Sequence, residues 1–147
     1  MSRVDITTKP EVHREAKAKG QLKLRKETIA LIKQGKIEKG DPFQVAKVAG
    51  ILAAKQTSSL IPLCHPIPLT SVKIDLRTVE DDTVEVESTV KTKAQTGVEM
   101  EALTATAVAL LTVWDMTKQY EKDADGQYPY TAIREIHVTS KLKEQPH

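Results

Sequence analysis

Between Arg14 and Arg25 the chain reads REAKAKGQLKLR, with Ala16, Ala18, Leu22 and Leu24 at alternate positions and Gly20 in the same row. Glu15, Lys17, Lys19, Gln21, Lys23 and Arg25 fill the positions between. Side chains of an extended chain point alternately to opposite faces, so this pattern predicts a strand with one buried face. Ala and Lys favour helix intrinsically, and here the pattern outweighs the propensity. Working outward, Lys26 to Gln34 carries Ile29, Leu31 and Ile32 and stops at Gly35, as a short helix followed by a glycine does. Asp41-Pro42 is a cap and first-turn pair that opens a second helix running to about Lys55, with Val45, Val48, Ala49 and Leu52 at helical spacing as its apolar face. The stretch Leu60 to Leu69, LIPLCHPIPL, is interrupted by Pro62, Pro66 and Pro68, which exclude both a continuous helix and a central strand. It reads as an irregular, well-packed connection.

Val72, Ile74 and Leu76, then the turn Glu80-Asp81-Asp82, then Val84, Val86 and Val90, spell a β-hairpin. Gly97 releases a long helix from about Val98 to Tyr120, Asp123 to Tyr130 forms a loop, and Ala132 to Thr139 is a last β-rich segment. The skeleton is βαββαβ with an extra helix, an α+β, ferredoxin-like antiparallel sheet with its helices on one face. A chain of 147 residues holds one such domain. Residues 1–9 read as a polar N-terminal arm and 141–147 as a flexible tail.

Composition excludes several classes. The net charge of +2 marks no general polyanion binder, and five aromatic residues leave little for base stacking. An RNA-binding module on this skeleton needs aromatics on its strands, where none is expected. One cysteine excludes an internal disulfide and a multi-cysteine metal site, and points to a reducing, cytoplasmic setting. The polar start carries no export signal, so none is expected. The apolar run Ala102 to Trp114 is 13 residues long, short of the roughly 20 that span a bilayer.

Three constellations can carry chemistry. Leu63-Cys64-His65-Pro66 lies between prolines; it is either a packed thiol and imidazole or a rigid segment that presents His65 to a ligand at little ordering cost. Glu99, Met100 and Glu101 open the long helix, where acidic residues favour the helix dipole and a carboxylate can also read the donor groups of a heterocycle. Asp115 and Lys118, three apart, share a helix face as either a surface ion pair or an acid–base pair. Arg14, Lys39, Lys55 and Lys141 are further cations near element ends.

Taken together, IPLCHPIPLT, TGVEMEALTATAVALLTVWDMTK, the Lys39-Gly40-Asp41 triplet, Val4-Asp5-Ile6 and Arg14-Glu15-Ala16 resemble the MoaC family of cyclic pyranopterin monophosphate synthases, of molybdenum cofactor biosynthesis. The resemblance covers residues 4 to 119. It implies a homohexamer, a trimer of dimers, with active sites at subunit interfaces. It also implies a phosphorus–oxygen lyase that turns a 3′,8-cyclised dihydroguanosine triphosphate into cyclic pyranopterin monophosphate and pyrophosphate. By motif position Asp115 would be the catalytic acid–base residue and Lys118 its partner. Leu63, Cys64, His65, Glu99, Met100 and Glu101 would line the substrate, and Arg14, Lys39, Lys55 and Lys141 would supply positive charge. Lys143 is the alternative to Lys141, because the chain departs from the family after Lys118. No metal site and no redox cofactor are implied, and a divalent ion such as Mg is compatible without being demanded; nor is nucleic acid or a membrane expected as a partner. The rival reading is a non-catalytic domain that senses a nucleotide or pterin.

Overall fold

The computed structural model describes residues 1–144. Its elements are β1 (Val12–Lys23), α1 (Lys26–Lys33), α2 (Pro42–Lys55), α3 (Thr57–Leu60), β2 (Leu69–Val79), β3 (Thr83–Ala94), α4 (Glu99–Glu121) and β4 (Ala132–Lys143). The four strands form one antiparallel sheet in the order β2-β3-β1-β4, the ferredoxin-like arrangement, with α1 and the short α3 as additional helices. The alternation in β1 is obeyed: Ala16, Ala18 and Leu22 are fully buried and pack with Val84, Val86 and Val90 of β3 against Ala102, Ala105, Ala109, Leu110 and Val113 of α4. On the opposite face Lys19 lies 3.9 Å from Glu85 and 3.7 Å from Glu87, and Arg77 pairs with Glu85.

Three expectations need correction. The Val45, Val48 and Leu52 stripe of α2 does not face the core; all three are exposed, and the helix buries Ala46, Gly50, Ala53 and Ala54 instead. Close backbone approach is the reason. A β-carbon added at Gly50 would stand 3.2 Å from the Ala105 carbonyl oxygen of α4 and 3.1 Å from Ile74 of β2, so small residues let α2 settle where bulkier ones would not fit. The proline-punctuated segment is irregular, as expected, but it is not well packed within the chain: Leu60 is 60% exposed and Leu63 43%. Finally, β4 continues past Thr139 to Lys143, its Lys141 pairing with Ala16 and its Lys143 with Arg14. The expected tail from Lys141 is therefore paired strand as far as Lys143, and its last part, 145–147, lies outside the described residues. The four-residue helix α3 has no counterpart in the sequence reading.

The N-terminus of α1 has no capping side chain of its own, since Arg25 occupies the cap position. Glu121, fully buried at the end of α4, supplies the cap from across the fold. Its carboxylate accepts from the Arg25 amide at 3.2 and 3.1 Å, from the Thr131 hydroxyl at 2.6 Å and from the Thr28 hydroxyl. An acidic group at a helix N-terminus is favoured by the helix dipole. Glu121→Ala strands the half-buried Arg25 amide and two buried hydroxyls and should cost about 3 kcal/mol or more of stability in a denaturant titration, with Glu121→Gln milder. A variant as stable as wild type would show that the cap is dispensable.

Candidate functional site

The expected site residues, Lys55 apart, fall into two clusters at opposite ends of α4. At its C-terminal end, one turn of helix sets Lys118 Nζ 2.9 Å from Asp115 Oδ1. The Lys39-Gly40-Asp41 loop joins them: Lys39 Nζ lies 3.9 Å from Asp115 Oδ2 and donates to the Asp115 carbonyl at 3.4 Å. That loop is held against α4 by its neighbours. The Glu38 amide donates to the Tyr120 hydroxyl at 2.9 Å, and Gln119 donates to the Glu38 carboxylate at 3.0 Å. Asp41 accepts from the Phe43 amide at 3.0 Å, which starts α2 at Pro42. The loop before β4 folds back onto the same helix end, where Tyr128 meets Trp114 edge-on with ring centroids 5.2 Å apart.

The Lys118 hydrogen bond, followed by the charges of Lys118 and Lys39, holds the Asp115 carboxyl below the usual carboxylate range. Asp115 in turn pushes the Lys118 ammonium up, through the hydrogen bond first and then through its charge. At neutral pH the pair is thus a carboxylate and an ammonium, both open to solvent in the single chain. The carboxylate can take a proton and the ammonium can neutralise developing charge.

At the other end of α4, Glu101 is buried beneath the proline-rich segment, and the Cys64 thiol donates to its Oε2 at 3.7 Å. Glu99 reaches Lys141 of β4 at 3.6 Å. A β-carbon at Gly97 would fall 2.0 Å from Glu99 Oε1, so the missing side chain makes room for this carboxylate. Arg14 donates through Nε to the Ala94 carbonyl at 3.1 Å and through Nη2 to the Gln95 carbonyl at 3.3 Å, which ties β1 to the turn that begins α4. His65 Nε2 lies 2.6 Å from the Val4 carbonyl oxygen. Met100 and Leu63 are exposed beside this group. Lys55 closes α2 and is exposed; among the described residues it has no hydrogen bond or ion pair to either cluster.

Burial is the main cause that pushes the Glu101 carboxyl up, partly offset by hydrogen bonds from its own main chain and from Cys64. Burial likewise pushes the Cys64 thiol up, and the charge and hydrogen bond of Glu101 add to it. A thiol held in its protonated form is a poor nucleophile. Glu101→Gln removes the charge of the carboxylate while its amide oxygen can still accept from the thiol, so the thiol pKa falls and the thiolate fraction rises at fixed pH. Iodoacetamide should then alkylate Cys64 faster than in the wild type; an unchanged or slower rate would contradict this electrostatic account.

Glu101 and Asp115 are about fourteen residues apart on one continuous helix, a separation of roughly 21 Å. A single chain therefore does not bring the Asp115 and Lys118 pair to His65. One residue and one segment that sequence reasoning passed over belong to the second cluster: Gln95, whose amide donates to the Thr7 and Lys9 carbonyls at 3.3 and 3.2 Å, and the arm that carries those carbonyls. Gln95 adjoins the Thr96-Gly97 start of the long motif, and nothing in its polarity distinguishes it from an ordinary loop amide.

Residues 3–143 match the MoaC family. The chain is 60% identical over 140 residues to a protein of Sulfurisphaera tokodaii named probable cyclic pyranopterin monophosphate synthase, which covers 95% of this chain and 92% of that one. Proteins of the same name from Sulfolobus acidocaldarius and Pyrococcus furiosus are each 56% identical, over 95% and 97% of this chain and 97% and 90% of their own length. Among the described residues no helix is long and apolar enough to cross a membrane.

Proposed function

Because this chain belongs to the MoaC family, we propose that it is a cyclic pyranopterin monophosphate synthase, a pyrophosphate-releasing lyase of molybdenum cofactor biosynthesis that works in the cytoplasm. Its substrate is the 3′,8-cyclised dihydroguanosine triphosphate, rebuilt into cyclic pyranopterin monophosphate. The observation that carries the reading is the 60% identity over 95% of the chain to a protein of that name, combined with a carboxylate–ammonium pair and a proline-braced imidazole on the motifs of the family.

The chemistry divides between the two clusters. In forming the cyclic phosphate, a sugar hydroxyl attacks the α-phosphorus, the bond to the β-phosphate oxygen breaks, and pyrophosphate leaves with the electron pair. The hydroxyl proton needs an acceptor, a role suited to the ionised Asp115, while Lys118 and Lys39 stabilise charge on the departing phosphates. The purine-to-pterin rebuilding also requires proton transfers, for which an adjacent carboxylate and ammonium are fitted. Glu99 and Glu101 read donor groups of the heterocycle, His65, Cys64, Leu63 and Met100 line its cavity, and Arg14, Lys55 and Lys141 add positive charge. Lys141 is preferred over Lys143 because it reaches Glu99. No step calls for a resident metal, and a divalent ion accompanying the triphosphate is compatible with this scheme.

A homohexamer, a trimer of dimers with interface sites, accounts for the separated clusters. If each site takes the Asp115 end of α4 from one subunit and the His65 end from another, the roughly 21 Å gap ceases to be an obstacle. The exposed Val45, Val48, Leu52 and Leu111 on the helical layer offer apolar area for such contact. Incubating the purified protein with the cyclised triphosphate should yield equimolar pyrophosphate and cyclic pyranopterin monophosphate. Binding without either product would favour the sensing domain instead.

A further inference from the structure

We infer that the N-terminal arm, residues 4–9, is a strap that positions His65 and fixes which of its ring nitrogens faces the substrate. The inference rests on the synthase reading for the identity of that substrate, but the strap itself rests on geometry. The arm has no regular structure, yet it is pinned to the body of the fold at both ends and rounded by its own hydrogen bonds between them. Near β1, the Gln95 side chain donates to the Thr7 and Lys9 carbonyls. In its middle, Asp5 accepts from the Thr7 amide at 2.9 Å and the Thr7 hydroxyl at 2.8 Å, and the Lys9 amide donates to the Ile6 carbonyl at 3.0 Å, which rounds the chain. At its far end, the Val4 carbonyl meets His65 Nε2 at 2.6 Å.

A carbonyl oxygen only accepts, so Nε2 must carry the hydrogen. In the neutral ring Nδ1 is then the bare nitrogen, an acceptor, and it has no protein partner among the described residues. An imidazole held this way offers Nδ1 to an N–H or O–H of the ligand; the opposite tautomer would present a donor and repel the same group. The strap thus selects a ligand donor at this point, as a second hydrogen bond generally settles the tautomer of a functional histidine. Gln95 links this device to the guanidinium of the cluster, because its main-chain carbonyl accepts from Arg14. One residue at the mouth of α4 therefore holds both the strap and the guanidinium, and we assign Gln95 as a positioning residue.

The test is nitrogen-15 spectroscopy of the histidine rings in the intact protein, with His65→Asn identifying the His65 signals, at a pH where the imidazole is neutral. The full chain should show a fixed Nε2–H tautomer. Deleting residues 2–5 should replace it with averaged signals from exchanging tautomers, and Gln95→Ala, which frees only the base of the arm, should move them the same way but less. Turnover of the deleted protein should fall by about tenfold, mostly in kcat. Ring signals unchanged by the deletion, or mixed tautomers already in the full chain, would overturn the strap. A full chain that holds the fixed tautomer but makes no product would overturn the synthase reading and leave the strap standing.

Discussion

Asp115→Asn should slow pyrophosphate release by a factor of about 10² to 10⁴, the span that general acid–base groups contribute, with KM changed little. The substitution is nearly isosteric, the side chain is exposed in the single chain, and an amide still accepts from Lys118, so the fold has no reason to respond. What is lost is the negative charge and the site that takes a proton. Lys118→Ala should be similarly damaging and should also move the pH dependence. Lys118 is the chief reason that the Asp115 carboxyl lies below the ordinary range, so its removal lets that pKa climb. A base must be ionised to act, so the acid limb of the residual activity should shift to higher pH. Lys39 still adds its charge and limits the shift. Measuring kcat against pH for the three proteins decides the matter: if Asp115→Asn and Lys118→Ala turn over like wild type, the assigned roles are wrong.

Mixing two inactive proteins should restore activity. Arg14 sits with the His65 end of α4 and Asp115 at the opposite end, roughly 21 Å along the helix, so a site that uses both draws them from different subunits. Arg14→Ala and Asp115→Asn are each expected to be nearly inactive. When equal amounts are unfolded and refolded together, or exchanged, about one site in four combines an intact Arg14 with an intact Asp115 if the subunits mix at random. Activity near a quarter of wild type is the expected result. No recovery, despite demonstrated subunit exchange, would mean that one chain supplies the whole site and that the distance is closed in another way.

Much of this architecture was readable from the sequence because its signals were local. The alternation of Ala16, Ala18, Leu22 and Leu24 needed no partner to be seen, and the Asp41-Pro42 pair marked the first turn of α2, which begins at Pro42 and ends at Lys55. The face of α2 was misread because two of its sides are apolar. Periodicity favours the larger residues, Val45, Val48 and Leu52, whereas packing chose the smaller ones, since only Ala46, Gly50 and Ala53 let the backbone come near α4 and β2. Glu121 escaped notice for a related reason: a glutamate in a last helical turn is ordinary in sequence, and its purpose lies in the amide of Arg25, far away along the chain. The pairing of Asp115 with Lys118 was visible as a spacing, while the approach of Lys39 came only with the loop that Tyr120 and Gln119 hold in place. A main-chain carbonyl, such as that of Val4, leaves no mark in a sequence at all.

The uninterrupted run of α4 from Glu99 to Glu121 makes it a ruler. Adding or removing a single residue between Glu101 and Asp115 would swing the distal carboxylate by about 100° around the axis and shift it by about 1.5 Å, whereas a seven-residue insertion would nearly preserve its azimuth but carry it about 10 Å farther. Neither change touches a candidate site side chain, yet either would put the two clusters out of step. If sites are shared between subunits as proposed, the length of this segment matters as much as the groups mounted on it, and insertions should be tolerated in the loop after Glu121 long before they are tolerated here.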